Sequence, residues 1–183
     1  MIWANPFPQK VSLSPKGQIR ETRKREGGTG DPSNWKIAKQ ERRDQTRETM
    51  NELAVLFRTA QLFAHNCHNL TKGVTFFSDH SFFGDAYAAY ESAYDAVIER
   101  MIGLDMSVNL GTVTAVAGEK AGKMTLPGMD AVRMFSAILE LEKEICVAVK
   151  TYAASTTDGT QNLIQGLADE SEIRQYKLKQ RIR

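Results

Sequence analysis

Apolar residues recur at intervals of three and four along most of the chain, the signature of helices that each bury one face. The first run, Met50, Leu53, Phe57, Ala60, Ala64 and Cys67, lies in a segment that turns helical near Trp35 and stops at Lys72-Gly73, where the glycine predicts a C-terminal cap. A second run reads Phe83, Tyr87, Tyr90, Tyr94, Val97, Met101 and Leu104. A third follows Pro127-Gly128, with Asp130 as the predicted N-cap and Met134, Ile138, Leu141, Ile145, Val149 and Tyr152 as its stripe. The fourth begins near Thr157-Asp158-Gly159-Thr160 and carries Leu163, Leu167, Ile173, Tyr176 and Leu178. Only Val113 to Val116 alternates as a strand would. Four amphipathic helices sharing one core predict an all-α four-helix bundle. The longest connection, about residues 105–128, must travel the length of the bundle if the helices it joins run parallel, and it has room for a short helix.

The first 45 residues read differently. Pro6, Pro8, Pro15 and Pro32 break helix, Gly27, Gly28 and Gly30 loosen the chain, and Arg20 to Glu26 is a run of charge. The division expected is therefore an N-terminal arm over 1–45 and a bundle over 46–183. Trp3, Phe7 and Trp35 stand out in this polar stretch. They read equally well as anchors onto another surface and as a staple onto the chain's own body.

Charge sharpens that division. Residues 1–48 hold eleven Lys and Arg against six Asp and Glu, while the rest hold thirteen against sixteen. A basic arm precedes a slightly acidic body, which implies an anionic or protein partner for the arm. The 42% hydrophobic and 25% charged residues are ordinary for a globular chain and exclude wholesale disorder. No apolar window approaches a membrane span, and the proline-containing N-terminus does not read as a secretory signal. Two cysteines are too few for a disulfide framework, so a reduced, cytoplasmic setting is expected.

Candidate chemistry is concentrated. All three histidines, His65, His68 and His80, fall within sixteen residues, and Asp95 and Glu99 stand four apart on one face of the second helix. Imidazole with carboxylate suits iron, manganese or zinc. Cys67 lies on the apolar stripe beside His68 and reads as core. Gly27-Gly28-Thr29-Gly30 lacks the strand context of a nucleotide loop, and no Ser/His/Asp grouping has an identifiable elbow.

The stretch His68-Asn69-Leu70-Thr71-Lys72-Gly73-Val74-Thr75-Phe76-Phe77-Ser78-Asp79-His80 reads His-x-x-x-Lys-Gly-x-x-Phe-Phe-x-x-His. This resembles the signature of the Dps family, the mini-ferritins that protect DNA during starvation. Phe83, Tyr87, Tyr94, Asp95, Glu99 and Arg100 continue the likeness, as do Asp158 to Gly166, Glu172, Tyr176 and Leu178. The resemblance covers about residues 46–183 and is strongest over 65–100. It implies a ferritin-like bundle assembled as a shell of twelve copies. Iron-oxidising sites would lie across a two-fold interface, His68 and His80 from one subunit and Asp95 and Glu99 from its neighbour. Peroxide would be the oxidant, and the oxidised iron would be stored within the shell.

Three departures accompany the likeness. The family usually has an Asp four residues after the second histidine, where this chain has Gly84. Asp85 is adjacent, but one residue is ~100° of helix rotation, which aims it elsewhere. Asn69 replaces a common aromatic, and the connection between the second and third helices is shorter than usual. Asp79 and His65 could compensate, though neither is at a family position. The Glu-x-x-His pairs of other ferritin-like di-iron proteins do not occur.

Two functions are expected from these residues. One is an iron-oxidising mini-ferritin, a homo-oligomer that binds DNA through Arg20, Arg23, Lys24 and Arg25. The other is a non-enzymatic ferritin-like protein docked on a larger assembly through Trp3 and Phe7. The tyrosines Tyr87, Tyr90 and Tyr94 add aromatic surface that predicts self-association.

Overall fold

The computed structural model describes residues 32–151 and 157–183. Among them the regular structure is entirely helical: α1 Pro32–Leu70, α2 Phe76–Gly103, α3 Leu110–Met124, α4 Ala131–Lys150 and α5 Asp158–Ile182. The four long helices are those the apolar spacing predicts, and α3 fills the long connection. Val113, read as part of a strand-like stretch, is buried on α3 instead. Arg20, Arg23, Lys24, Arg25, Trp3, Phe7 and Tyr152 lie outside the described residues. The helix α1 runs without a break through residue 45.

Local chemistry sets the helix ends. Gly73 adopts φ +91°, a conformation that favours glycine, and turns the chain between α1 and α2. Asp130 caps α4 by accepting from the Arg133 amide at 2.8 Å, and Thr157 caps α5 by accepting from the Thr160 amide at 3.3 Å. The Arg43 guanidinium donates to the carbonyls of Leu104 and Asp105, each at 3.1 Å, and so satisfies orphan acceptors at the end of α2.

Contacts fix the directions. His68 meets His80 and Arg58 meets Tyr94, so α1 and α2 run antiparallel. Phe83 meets Phe135 and, seven residues on in both helices, Tyr90 meets Glu142, so α2 and α4 run parallel. The connection between them therefore does travel the length of the bundle, and α3 packs on α1 along the way. Helix α5 returns antiparallel to α4, with Cys146 beside Ser171 and Glu142 beside Arg174.

The core is built from the predicted stripes. Met50, Leu53, Phe57, Ala60, Ala64 and Cys67 are all buried, as are Phe83, Tyr90, Val97 and Met101 and, on α4, Met134, Ile138, Leu141 and Ile145. Burying such side chains contributes roughly 1.5–3 kcal/mol each.

The stripe of α5 differs from the expectation. Ile173 and Tyr176 are 50% and 65% exposed, and the buried positions are Thr160, Ile164, Leu167, Ser171 and Leu178. The helix turns Ser171 and Arg174 inward because the core there contains a carboxylate, Glu142. Spacing by hydrophobicity alone selects the wrong face when the buried face is partly polar.

Candidate metal centre

The turn after α1 folds the chain back so that His68, in the last turn of α1, lies against His80, in the second turn of α2. The two rings stack with centroids 3.6 Å apart. Each is held by the other's backbone: His68 Nδ1 lies 2.9 Å from the His80 carbonyl, and His80 Nδ1 lies 3.0 Å from the His68 carbonyl. A carbonyl only accepts, so each Nδ1 carries the proton. Nε2 is thereby the nitrogen left over for a metal, since imidazole ligates through the nitrogen that carries no proton.

Aromatic rings surround the pair. Phe76 stacks on His80 at 4.8 Å, and Tyr87 presents its edge to His68 at 5.5 Å. His65, exposed one turn before His68, lies 4.8 Å from Tyr87 and 6.3 Å from His68. It joins the aromatic group rather than the reciprocal pair.

Gly84 faces this site. A Cβ built there would lie 3.5 Å from both Cε1 and Nδ1 of His68, an ordinary contact distance. Position 84 thus adjoins the imidazole and has room for a side chain. Asp85 is turned away, as the rotation predicts, into a groove shared with Glu170, Arg174 and Lys177. Asp79 is also spent elsewhere. Its carboxylate takes Arg181 at 2.8 and 3.0 Å and the Thr75 hydroxyl at 2.7 Å. The Arg181 hydrogen bond, foremost, holds the Asp79 carboxyl below its ordinary range. Asp79 therefore pins α2 to α5 and does not compensate for Gly84.

Asp95 and Glu99 are exposed, further along α2. At 1.5 Å per residue they lie roughly 22 and 28 Å beyond His80, too far to share an ion with it. Among the described residues, no group of three or more His, Cys, Asp or Glu comes together to hold a metal within one chain. The chemistry of the two imidazoles suits iron.

The spacing did not reveal a second polar centre. Glu142 is completely buried between α2, α4 and α5. It accepts from the Tyr90 hydroxyl, from Ser171 Oγ and from Arg174 Nε. Burial first, then the Glu142 charge, holds the Tyr90 phenol well above its ordinary pKa. The signal was a glutamate directly after Leu141, at a core spacing from Ile138, with serine and arginine at matching spacing on α5. This carboxylate is paired with the Arg174 guanidinium inside the bundle. Tyr90 is likewise a core residue and offers no surface for association, whereas Tyr87 and Tyr94 remain half-buried beside α1. Cys67 is core as read, and burial pushes its thiol up to about 12.

A sequence profile described as "Ferritin-like domain" matches residues 47–183. The chain belongs to this ferritin-like family. Compared with curated protein sequences, the ferritin-like chain has no significant match. Among solved structures it is similar to Dps from Thermosynechococcus elongatus, with TM-score 0.70 and 17% identity over 80% of this chain and 95% of that one. It is also similar to a Dps protein from Vibrio cholerae O1, described as a member of a broad superfamily of ferritin-like diiron-carboxylate proteins. There the TM-score is 0.51 at 21% identity, over 76% of this chain and 92% of that one. At these identities the likeness is one of fold. The fold expected from the sequence, a ferritin-like helical bundle of the Dps kind, is the fold observed. Among the described residues no helix is long and apolar enough to cross a membrane.

Proposed function

We propose that this ferritin-like protein is a Dps-like mini-ferritin that oxidises ferrous iron at sites shared between two copies and sequesters the product. The carrying observation is the reciprocal His68–His80 pair, two imidazoles set in the ligating tautomer with no carboxylate grouped with them among the described residues. Asp95 and Glu99 of a second copy would complete the site. A two-fold axis running near the middle of α2, with the helices antiparallel, brings them there. Such an interface is isologous, so each pair of copies makes two equivalent sites.

The exposed surface is consistent with that arrangement. Val74 and Phe77 are 104% and 86% exposed beside the histidine end of α2, and Ile102 is 56% exposed at the other end. An antiparallel pairing covers each apolar end with the other, as exposed apolar patches of this kind usually require. The shell of twelve suggested by the resemblance would be built from such pairs.

Iron here is substrate. Carboxylate oxygens hold both ferrous and ferric ions, and the imidazoles tune the site. Hydrogen peroxide takes one electron from each of two ferrous ions and leaves as two hydroxide ions, with no radical released. The test is stopped-flow oxidation of ferrous iron by peroxide in the presence of the full chain. Acceleration over buffer that disappears in His80→Ala supports the reading, and a rate equal to buffer rejects it.

Gly84 favours a second reading, in which the bundle is retained and the iron chemistry is not. One ligand fewer weakens the site, and the arm residues Trp3 and Phe7 would then dock the protein on a larger assembly. Arg20, Arg23, Lys24 and Arg25 would instead carry the arm onto DNA in the first reading. Retention on DNA at low salt after alanine substitution of those four basic residues separates the two roles of the arm.

A further inference from the structure

The first turns of α1 extend beyond the point where Arg43 docks on the end of α2. Beneath this overhang lies an open groove of about 550 Å³, lined among others by Trp35, Lys39, Arg42, Arg43, Met106 and Thr157. We propose that it is a binding site for single-stranded nucleic acid, in which Trp35 stacks a base while Lys39 and Arg42 hold neighbouring phosphates. The proposal does not depend on the iron reading, nor on the arm residues 1–31.

The first observation is the tryptophan. Trp35 is 61% exposed, and among the described residues the cation over its ring is Lys39, with Nζ 5.4 Å from the centroid. A large aromatic ring left open to water beside an ammonium group is a stacking platform for a flat, anionic ligand. The second is charge without partners. Among the described residues Arg42 makes no ion pair, and Lys39 is engaged only with the Trp35 ring. Arg43 spends one guanidinium nitrogen on the α2 carbonyls and keeps its charge. Asp44, the next residue, is already occupied by Arg47 at 3.2 Å and Gln40 at 3.1 Å. The third is the floor, where Leu104 and Met106 are apolar and Thr157, the cap of α5, is polar.

Those features select the ligand class. Stacking on Trp35 needs a base whose face is free, which a duplex does not offer and a single strand does. The cations follow one another along α1 rather than converging on one point, which suits a run of phosphates more than a lone nucleotide. The groove is open to solvent, so a strand can enter it.

The test uses the full chain carrying Trp3→Phe, so that Trp35 is the only tryptophan. Oligothymidylate should quench its fluorescence, and a duplex of the same length should not. Trp35→Ala should weaken oligothymidylate binding about tenfold or more, measured by anisotropy of a labelled strand. Trp35→Phe should retain most of the affinity. Arg42→Glu should make the plot of log K against log salt shallower by about 0.7, the contribution of one single-strand phosphate. Unchanged helicity and unchanged iron oxidation in Trp35→Ala show that the fold and the other site are intact. Equal quenching by duplex and single strand overturns the proposal, as does binding indifferent to both Trp35→Ala and Arg42→Glu. So does binding lost only when Arg20, Arg23, Lys24 and Arg25 are changed to alanine, since the arm would then be the whole site.

Discussion

His68 and His80 each donate from Nδ1 to the main-chain carbonyl of the other, at 2.9 and 3.0 Å. Two residues twelve apart thereby lock each other's tautomer across the turn between α1 and α2. The turn places them, the stacking keeps the rings together, and the carbonyls decide which nitrogen remains open. Nitrogen-detected NMR should show both rings protonated at Nδ1 in the neutral form. Ring resonances of the Nε2-protonated form would contradict the arrangement. Replacing either histidine by alanine should release the other ring and abolish iron oxidation, not merely halve it.

Gly84 offers a gain-of-function test. A Cβ there meets His68 at ordinary van der Waals distance, so a side chain fits without displacing the ring. Gly84→Asp should raise the iron oxidation rate. Gly84→Ala should leave the rate unchanged while stabilising the fold by about 1 kcal/mol, because glycine is costly within a helix. Chemical denaturation gives the second number and stopped-flow the first. Equal rates in parent, Gly84→Asp and His80→Ala would mark the site as inert.

The buried Glu142–Arg174 pair should matter for stability alone. Arg174→Met leaves a fully buried carboxylate without its cation, a change that costs about 3 kcal/mol or more. Adding Glu142→Leu to that variant should recover most of the loss, because no charge then remains uncompensated. Urea denaturation of the single and double variants checks this. A double variant as unstable as the single would show that packing, not charge, dominates there.

Asp79 and Arg181 predict a dependence on pH. The folded-state Asp79 carboxyl lies below its ordinary value, chiefly through Arg181, so the unfolded chain binds the proton more readily. The stabilisation is complete above the unfolded carboxyl value of about 4. It is lost as pH falls through the lower folded value. Asp79→Asn should therefore be less stable than the parent at neutral pH, with the difference shrinking below about pH 4. A difference independent of pH would remove the ion pair from the explanation.

Much of this was legible in the sequence, for reasons that can be located. The stripes of α1 and α4 are nearly pure hydrocarbon, so spacing alone finds their buried faces. The rotation that aims Asp85 away from His68 follows from helix geometry. Helix α5 misled because Ser171 and Arg174 occupy its inner face while Ile173 and Tyr176 remain outside. A hydrophobicity count scores those two pairs the wrong way round. Tyr90 misled for the same reason, since its hydroxyl is matched to a buried Glu142 whose core spacing from Ile138 a hydrophobicity count passes over. Asp79 gave no hint of its partner, because Arg181 lies 102 residues away.

The central claim is that one copy's histidines work with another copy's carboxylates, and mixing two inactive variants tests it most directly. One variant carries His68→Ala and His80→Ala; the other carries Asp95→Asn and Glu99→Gln. Each alone should oxidise iron no faster than buffer. Refolded together in equal amounts, half of the two-fold pairs contain one of each, and each such pair has one intact site of its two. The mixture should therefore recover about a quarter of the parental rate. No recovery on mixing, with assembly shown by light scattering, would contradict a site shared between copies.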